Sequence, residues 1–202
     1  MLVNIFLYNP KTWEVVLVQK LNKPNGLFAL PGGRCEEELP DADLFDPEIS
    51  REATEKIYSA AYKTLLREIA EEVGPNVTRA IRRLAQKNGG SDQLNCVAIK
   101  ISGKSGSYYP QIVYLIPFRG KLRKEGMVER NEAGKIIEKL GPPIGFPMSD
   151  LGYGDVLLDT DEKFPISALH LNAIHQLMNA FRDENLKFAT TANLTAKFAF
   201  DD

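Results

Sequence analysis

The chain has 202 residues, the length of one domain or of one domain with elaborations. Its 44% hydrophobic and 26% charged residues are the proportions of an ordinary soluble globular protein. A formal net charge of −2 supplies no electrostatic pull towards nucleic acid or a membrane surface, so neither is expected as a partner.

Met1–Tyr8 is apolar but lacks a cationic start and is far too short to span a bilayer, so it reads as a strand. Trp13–Gln19 is a second β-rich run, and Asn9-Pro10-Lys11-Thr12 between the two suggests a hairpin. Phe28–Leu30 is a short strand that closes in the turn Pro31-Gly32-Gly33-Arg34. Asp46-Pro47 has the form of a helix start. No Gly or Pro then interrupts the chain before Gly74. The apolar positions Ile49, Ala53 and Ile57 do not continue the stripe formed by Tyr62, Leu66, Ile69, Ala70 and Val73. Two helices or a bend are therefore expected between residues 47 and 73.

Residues 76–86 are basic and helix-prone. Leu94–Ile101 and Gln111–Phe118 read as strands, the second running on towards Leu122. Asn131-Glu132-Ala133-Gly134 is a hairpin-turn candidate in a charged stretch. A last helical pattern covers Phe164–Glu184. Residues 1–185 are read as one domain and 186–202 as a tail, either flexible or packed as an accessory strand. Cys35 and Cys96 do not make a disulfide framework and are read as reduced thiols of a cytoplasmic protein. His170 and His175, five apart on a helix, share no face and are read as one packing and one surface residue.

The stretch Arg67-Glu68-Ile69-Ala70-Glu71-Glu72-Val73-Gly74 breaks local rules. On a helix Glu68 and Glu72 lie about 40° apart and Glu71 completes an arc of roughly 100°. Like charges at i,i+4 destabilise by about 0.2–0.5 kcal/mol. Anions in the last helical turn cost about 0.3–1 kcal/mol each against the helix dipole. A solvated face would carry Lys or Arg there. Clustered carboxylates without a stabilising reason point to function, and their oxygens suit a hard divalent cation such as Mg²⁺ or Mn²⁺.

Together with Gly33, this run resembles the signature of the Nudix hydrolases, G-x5-E-x7-R-E-U-x-E-E-x-G-U, with U a bulky apolar residue. Gly33 matches the opening glycine, and Arg67-Glu68, Ile69, Glu71-Glu72 and Gly74 match the second half. An insertion and two positions depart from it. An insertion of about 20 residues, near positions 36–57, separates the halves. Ser59 stands where the pattern has Glu, and Pro75 where it has U.

The resemblance implies an α/β protein, a Nudix-type α/β/α sandwich with a mixed central sheet. It implies a hydrolase that cleaves the diphosphate linkage of a nucleoside diphosphate derivative by water attack at phosphorus. Glu68, Glu71, Glu72 and the Gly33 carbonyl would hold Mg²⁺ or Mn²⁺. Arg67 would tether the glycine loop by pairing with a glutamate, for which Glu36, Glu37, Glu38 and Glu55 are candidates. Arg34 and Lys20 are candidate phosphate partners. Glu138 is the first choice of general base, followed by Glu132, Glu125 and Glu129.

Two other readings stand beside it: a catalytically silent Nudix-fold binding or regulatory domain, and a plain α/β interaction module with incidental glutamates. A nucleotide-type small molecule is the expected partner. A homodimer is left open.

Overall fold

The computed structural model describes residues 1–21, 26–102, 108–130, 136–158 and 162–183, together with the pairs Ala189–Thr190 and Lys197–Phe198 of the tail. The first strand, β1 (Leu2–Asn9), is buried on both faces from Val3 to Leu7, as a strand inside a covered sheet must be. It turns back into β2 (Glu14–Gln19) with Tyr8 opposite Val15, while the Asn9 side chain accepts from the Lys11 amide in the turn. β2 in turn pairs with β3 (Phe28–Ala29).

The chain then re-enters beside the start of β1 as β4 (Gly32–Arg34), with Leu2 opposite Arg34, Val3 opposite Gly33 and Asn4 opposite Gly32. One edge of β1 is thus shared between two strands. The glycine turn sits where they part.

A single helix, α1 (Arg51–Glu72), replaces the two helices or bend expected over 47–73. Asp46 does not cap it. Its carboxylate accepts from the Glu48 amide in a local turn, and Ser50 is the N-cap, its hydroxyl accepting from Ala53 N–H at 3.1 Å. Ile49 lies outside the helix. The buried stripe runs Thr54, Ile57, Tyr58, Ala61, Leu65, Ile69, which is continuous once Thr54 counts as a core position. Gly74, at φ +116°, ends the helix and leads directly into α2 (Pro75–Asn88), with proline at its first position.

β5 (Asn95–Ser102) and β6 (Tyr108–Pro117) follow as an antiparallel pair, and β6 runs parallel to β1. β6 stops at Pro117, short of Leu122. β7 (Met127–Arg130) and β8 (Ile136–Leu140) pair antiparallel, and the hairpin-turn candidate between them, with Glu132, lies outside the described residues. β9 (Ile144–Pro147) adds to β2, and β10 (Asp155–Leu157) pairs with β11 (Lys163–Pro165). The last helix, α3 (Ala168–Asp183), starts later than expected because residues 163–165 are strand. In the tail, β12 (Ala189–Thr190) and β13 (Lys197–Phe198) both pair with β5.

The main sheet is therefore mixed, parallel at β1–β6 and antiparallel elsewhere along its path. Alternate side chains divide the core. Val3, Ile5, Leu7, Ile112 and Tyr114 pack on one face with Leu65, Ile69 and Val77 of α1 and α2. Phe6, Val15, Leu17, Val113 and Leu115 pack on the other with Ile174 and Leu177 of α3. This is an α/β fold with helices on both faces of a mixed sheet. Both cysteines are free, and burial pushes the Cys96 thiol up to about 12. Among the described residues, no helix is long and apolar enough to cross a membrane.

Candidate active site

The two halves of the motif meet although 33 residues separate Gly33 from Arg67. Three contacts join the end of α1 to β4. The Gly32 amide donates to Glu72 Oε2 at 2.7 Å. Arg67 Nη2 donates to the Arg34 carbonyl at 3.0 Å and to Glu68 Oε1 at 2.9 Å. The Glu68 carboxylate lies against Gly33 so closely that a Cβ there would stand 2.5 Å from it. Arg67 Nη1 also forms an ion pair with Glu36, at the start of the inserted segment. Glu55, another of the acids considered for that partnership, instead pairs with Arg51. Ser59 lines a surface cleft with Glu37, Glu38, Lys56 and Lys63.

The turn is braced from below by two buried amides. Gln111 Nε2 donates to Asn4 Oδ1 at 2.8 Å, and Asn4 Nδ2 points at the carbonyls of Leu30 and Pro31, 3.4 Å from each. Sequence reasoning did not single out either residue. A polar residue inside an otherwise apolar strand, such as Asn4 in β1, was the available signal.

The charges missing from the glutamate run come from elsewhere in the chain. Lys20, at the end of β2, donates to Glu72 Oε1 at 2.6 Å. Arg123 donates through Nη1 to the Glu71 carbonyl at 2.8 Å, and its amide bonds the Val73 carbonyl. It thereby places a cation at the C-terminus of α1, where the dipole favours one. Lys20 is turned inward, not left facing solvent. Arg34 is exposed and holds Arg67 through its main chain.

Glu72 is 6% exposed and Glu68 16%, whereas Glu71 is exposed. Burial, then the negative charges of Glu72 and Glu71, raise the Glu68 pKa above the ordinary carboxylate value, against the opposing pull of Arg67 and Lys20. Because its folded value is raised, ionising Glu68 costs stability as pH climbs through that value. Without metal at pH 7, Glu68→Gln is therefore expected to melt at a higher temperature than the wild type, while gaining nothing from Mg²⁺ or Mn²⁺. Thermal denaturation in EDTA and in excess metal measures both.

His170 also belongs to this site and is more than a packing residue. The Ser167 amide bonds the Phe28 carbonyl at 2.8 Å, which docks the start of α3 on β3. From there His170 Nδ1 accepts from the Leu30 amide at 3.2 Å, one residue before Pro31. Burial, and secondarily the Lys20 charge, push its pKa down to about 4. A neutral imidazole buried in the native state and protonated in the unfolded chain makes stability drain away as pH falls from about 6.5 towards 4. Urea midpoints across that window are expected to fall more steeply for the wild type than for His170→Gln. His175 is half-buried. Its Nε2 is buried without a hydrogen-bond partner among the described residues.

Of the later glutamates, Glu125 is exposed and Glu132 lies outside the described residues. Glu138 sits in β8 opposite Val128, two residues before Leu140, the bridge partner of Lys20. The side chains of Glu129 and Glu138 lie outside the described residues.

Among the described residues, no three His, Cys, Asp or Glu side chains gather into a group that could hold a metal ion. What the site offers is two neighbouring carboxylates, Glu72 buried and Glu68 half-buried, beside the main chain of a glycine turn. That donor set is all oxygen and carries repelling negative charge. It suits Mg²⁺, which one or two carboxylates commonly bind while it keeps several waters.

No family model and no curated protein matches the chain. Several solved structures are similar to it. One is the dihydroneopterin triphosphate pyrophosphohydrolase of E. coli, at 12% identity over 89% of this chain and 95% of that one, TM-score 0.46. A second is a MutT Nudix hydrolase from Burkholderia pseudomallei, at 16% identity over 87% and 97%, TM-score 0.43. A third is a C. elegans Ap4A hydrolase, at 10% identity over 91% and 99%, TM-score 0.43. At these identities and scores the likeness decides nothing about chemistry.

Proposed function

We propose that this chain is a Nudix-type pyrophosphohydrolase, a divalent-metal-dependent enzyme that cleaves the diphosphate linkage of a nucleoside diphosphate derivative. The observation that carries the reading is the lock between the glycine turn and the end of α1. Gly32 N–H on Glu72, Gly33 against Glu68, and Arg67 on both the Arg34 carbonyl and Glu36 are more than a solvated helix face requires. Arg67 is a positioning residue: it fixes the loop against the helix and holds Glu68 in place.

Glu68 and Glu72, with the Gly33 carbonyl and with Glu71 assisting from the exposed side, would hold Mg²⁺ or Mn²⁺. The bound ion would neutralise the diphosphate and lower the pKa of its water. The chain's own part is to fix those carboxylates and to meet the phosphate charge with Lys20 and Arg34. Glu138, on the strand beside Lys20, is assigned the role of taking the proton from the attacking water. Positioning and charge stabilisation supply most of the rate in phosphoryl transfer generally.

One observation favours the rival reading, a catalytically silent Nudix-fold binding domain: Lys20 already neutralises Glu72. A screen of nucleoside diphosphate derivatives with Mg²⁺ and with Mn²⁺, scoring phosphate and nucleotide release, separates the two. Metal-dependent turnover of any member supports the hydrolase. Binding without turnover supports the silent domain.

A further inference from the structure

Lys20 is the residue that a metal site alone does not explain. Its ammonium lies 2.6 Å from Glu72 Oε1, on the carboxylate whose other oxygen already takes the Gly32 amide. A carboxylate that is 6% exposed needs such compensation. The main chain of Lys20 is pinned, since its amide bonds the Leu27 carbonyl at 2.8 Å and the residue bridges Leu140. The side chain is held less firmly. It is 22% exposed, and among the described residues its salt-bridge partner is Glu72.

From this geometry we infer that Lys20 is a resident counter-cation, which occupies Glu72 until a divalent ion displaces it. The inference rests on the metal-site reading above. An ammonium and a divalent ion on one carboxylate repel in proportion to the product of their charges, and with Oε2 taken by the Gly32 amide the two compete for Glu72 Oε1. Arg67 and Glu36 leave Glu68 in place during the exchange, and His170, neutral beside Lys20, adds no charge to either state. The four-carbon stem lets the ammonium swing outward while the backbone stays bridged to β8. Metal loading would therefore release a cation at the rim of the site, where an anionic substrate must enter. A silent, self-neutralised site and a working one then differ by one side-chain rotation.

Two measurements test this. Isothermal titration with Mn²⁺ is expected to show Lys20→Met binding roughly tenfold tighter than the wild type, because the competitor is gone, with Lys20→Arg close to wild type. Metal-free Lys20→Met should also melt lower and gain more on adding Mn²⁺. The second measurement uses the unaltered protein, so it stands if the variants fail to fold. Lys20 acetylation by acetic anhydride, followed by mass spectrometry, is expected to rise several-fold when Mg²⁺ is added. Equal Mn²⁺ affinity in wild type and Lys20→Met, or Lys20 acetylation indifferent to saturating Mg²⁺, overturns the exchange while leaving the metal site standing. If the wild type and Lys20→Met both bind no metal, the metal-site reading fails and the exchange falls with it.

Discussion

Glu72→Gln is expected to lower kcat for diphosphate hydrolysis by about a thousandfold, roughly 4 kcal/mol of barrier. The substitution keeps size and shape, so the loss traces to charge. The amide oxygen can still accept from the Gly32 amide, which keeps the glycine turn in place. Its NH₂ end, however, meets the Lys20 ammonium, a donor facing a donor at a side chain that is only 6% exposed. Glu68 and one neutral amide hold a divalent cation less firmly, and neutralise less of its charge, than two carboxylates together. Removing one partner of a buried charge pair should also cost about 1–3 kcal/mol of stability. Two readouts check this: kcat on a substrate found in the screen, and the melting temperature with and without Mg²⁺. Activity within tenfold of wild type, or an undiminished Mg²⁺-dependent rise in melting temperature, would remove Glu72 from the proposed metal site.

The glutamate run was legible in the sequence as an electrostatic anomaly because the anomaly is local. Its resolution is not. The cations that offset the run, Lys20 and Arg123, lie 52 residues away on either side of their partners. Nothing in the helical periodicity points to them. The length of α1 is hidden in the sequence for a related reason. The expected break came from a mismatch between Ile49, Ala53, Ile57 and the later apolar stripe, and Ile49 proves to lie before the Ser50 cap. With Thr54 buried in the stripe, hydropathy understates the helix's inner face. His170 was the larger miss. Its role depends on the Ser167–Phe28 bond that seats α3 against the glycine turn, a contact between residues 139 apart that no spacing rule reaches. By contrast β1, β2, β5, β6 and α2 were readable because their signals, alternating or continuous apolar runs and turn residues, lie inside each element.

The two glycines of the turn should fail in different ways when each is replaced by alanine, and the contrast tests how closely the site depends on the turn. At Gly32 the backbone has φ +137°, and a Cβ would land on the Val3 carbonyl oxygen and crowd Asn4. Both obstacles are backbone or buried strand, so relief requires β1 and β4 to part. Gly32→Ala is expected to cost about 2–4 kcal/mol and to lower the melting temperature by several degrees or more.

Gly33 has no such backbone requirement. Its obstacle is the Glu68 carboxylate, the far end of a side chain that can rotate away. Gly33→Ala should therefore cost under about 1 kcal/mol of stability. Yet it should lose about a hundredfold in kcat, because a displacement of about 1 Å at a catalytic group can cost that much. Chemical denaturation ranks the two stabilities, and kcat measured well below each melting point ranks the two activities. If Gly33→Ala keeps full activity, Glu68 does not need its place against the turn, and the lock between the two halves of the motif is structural only.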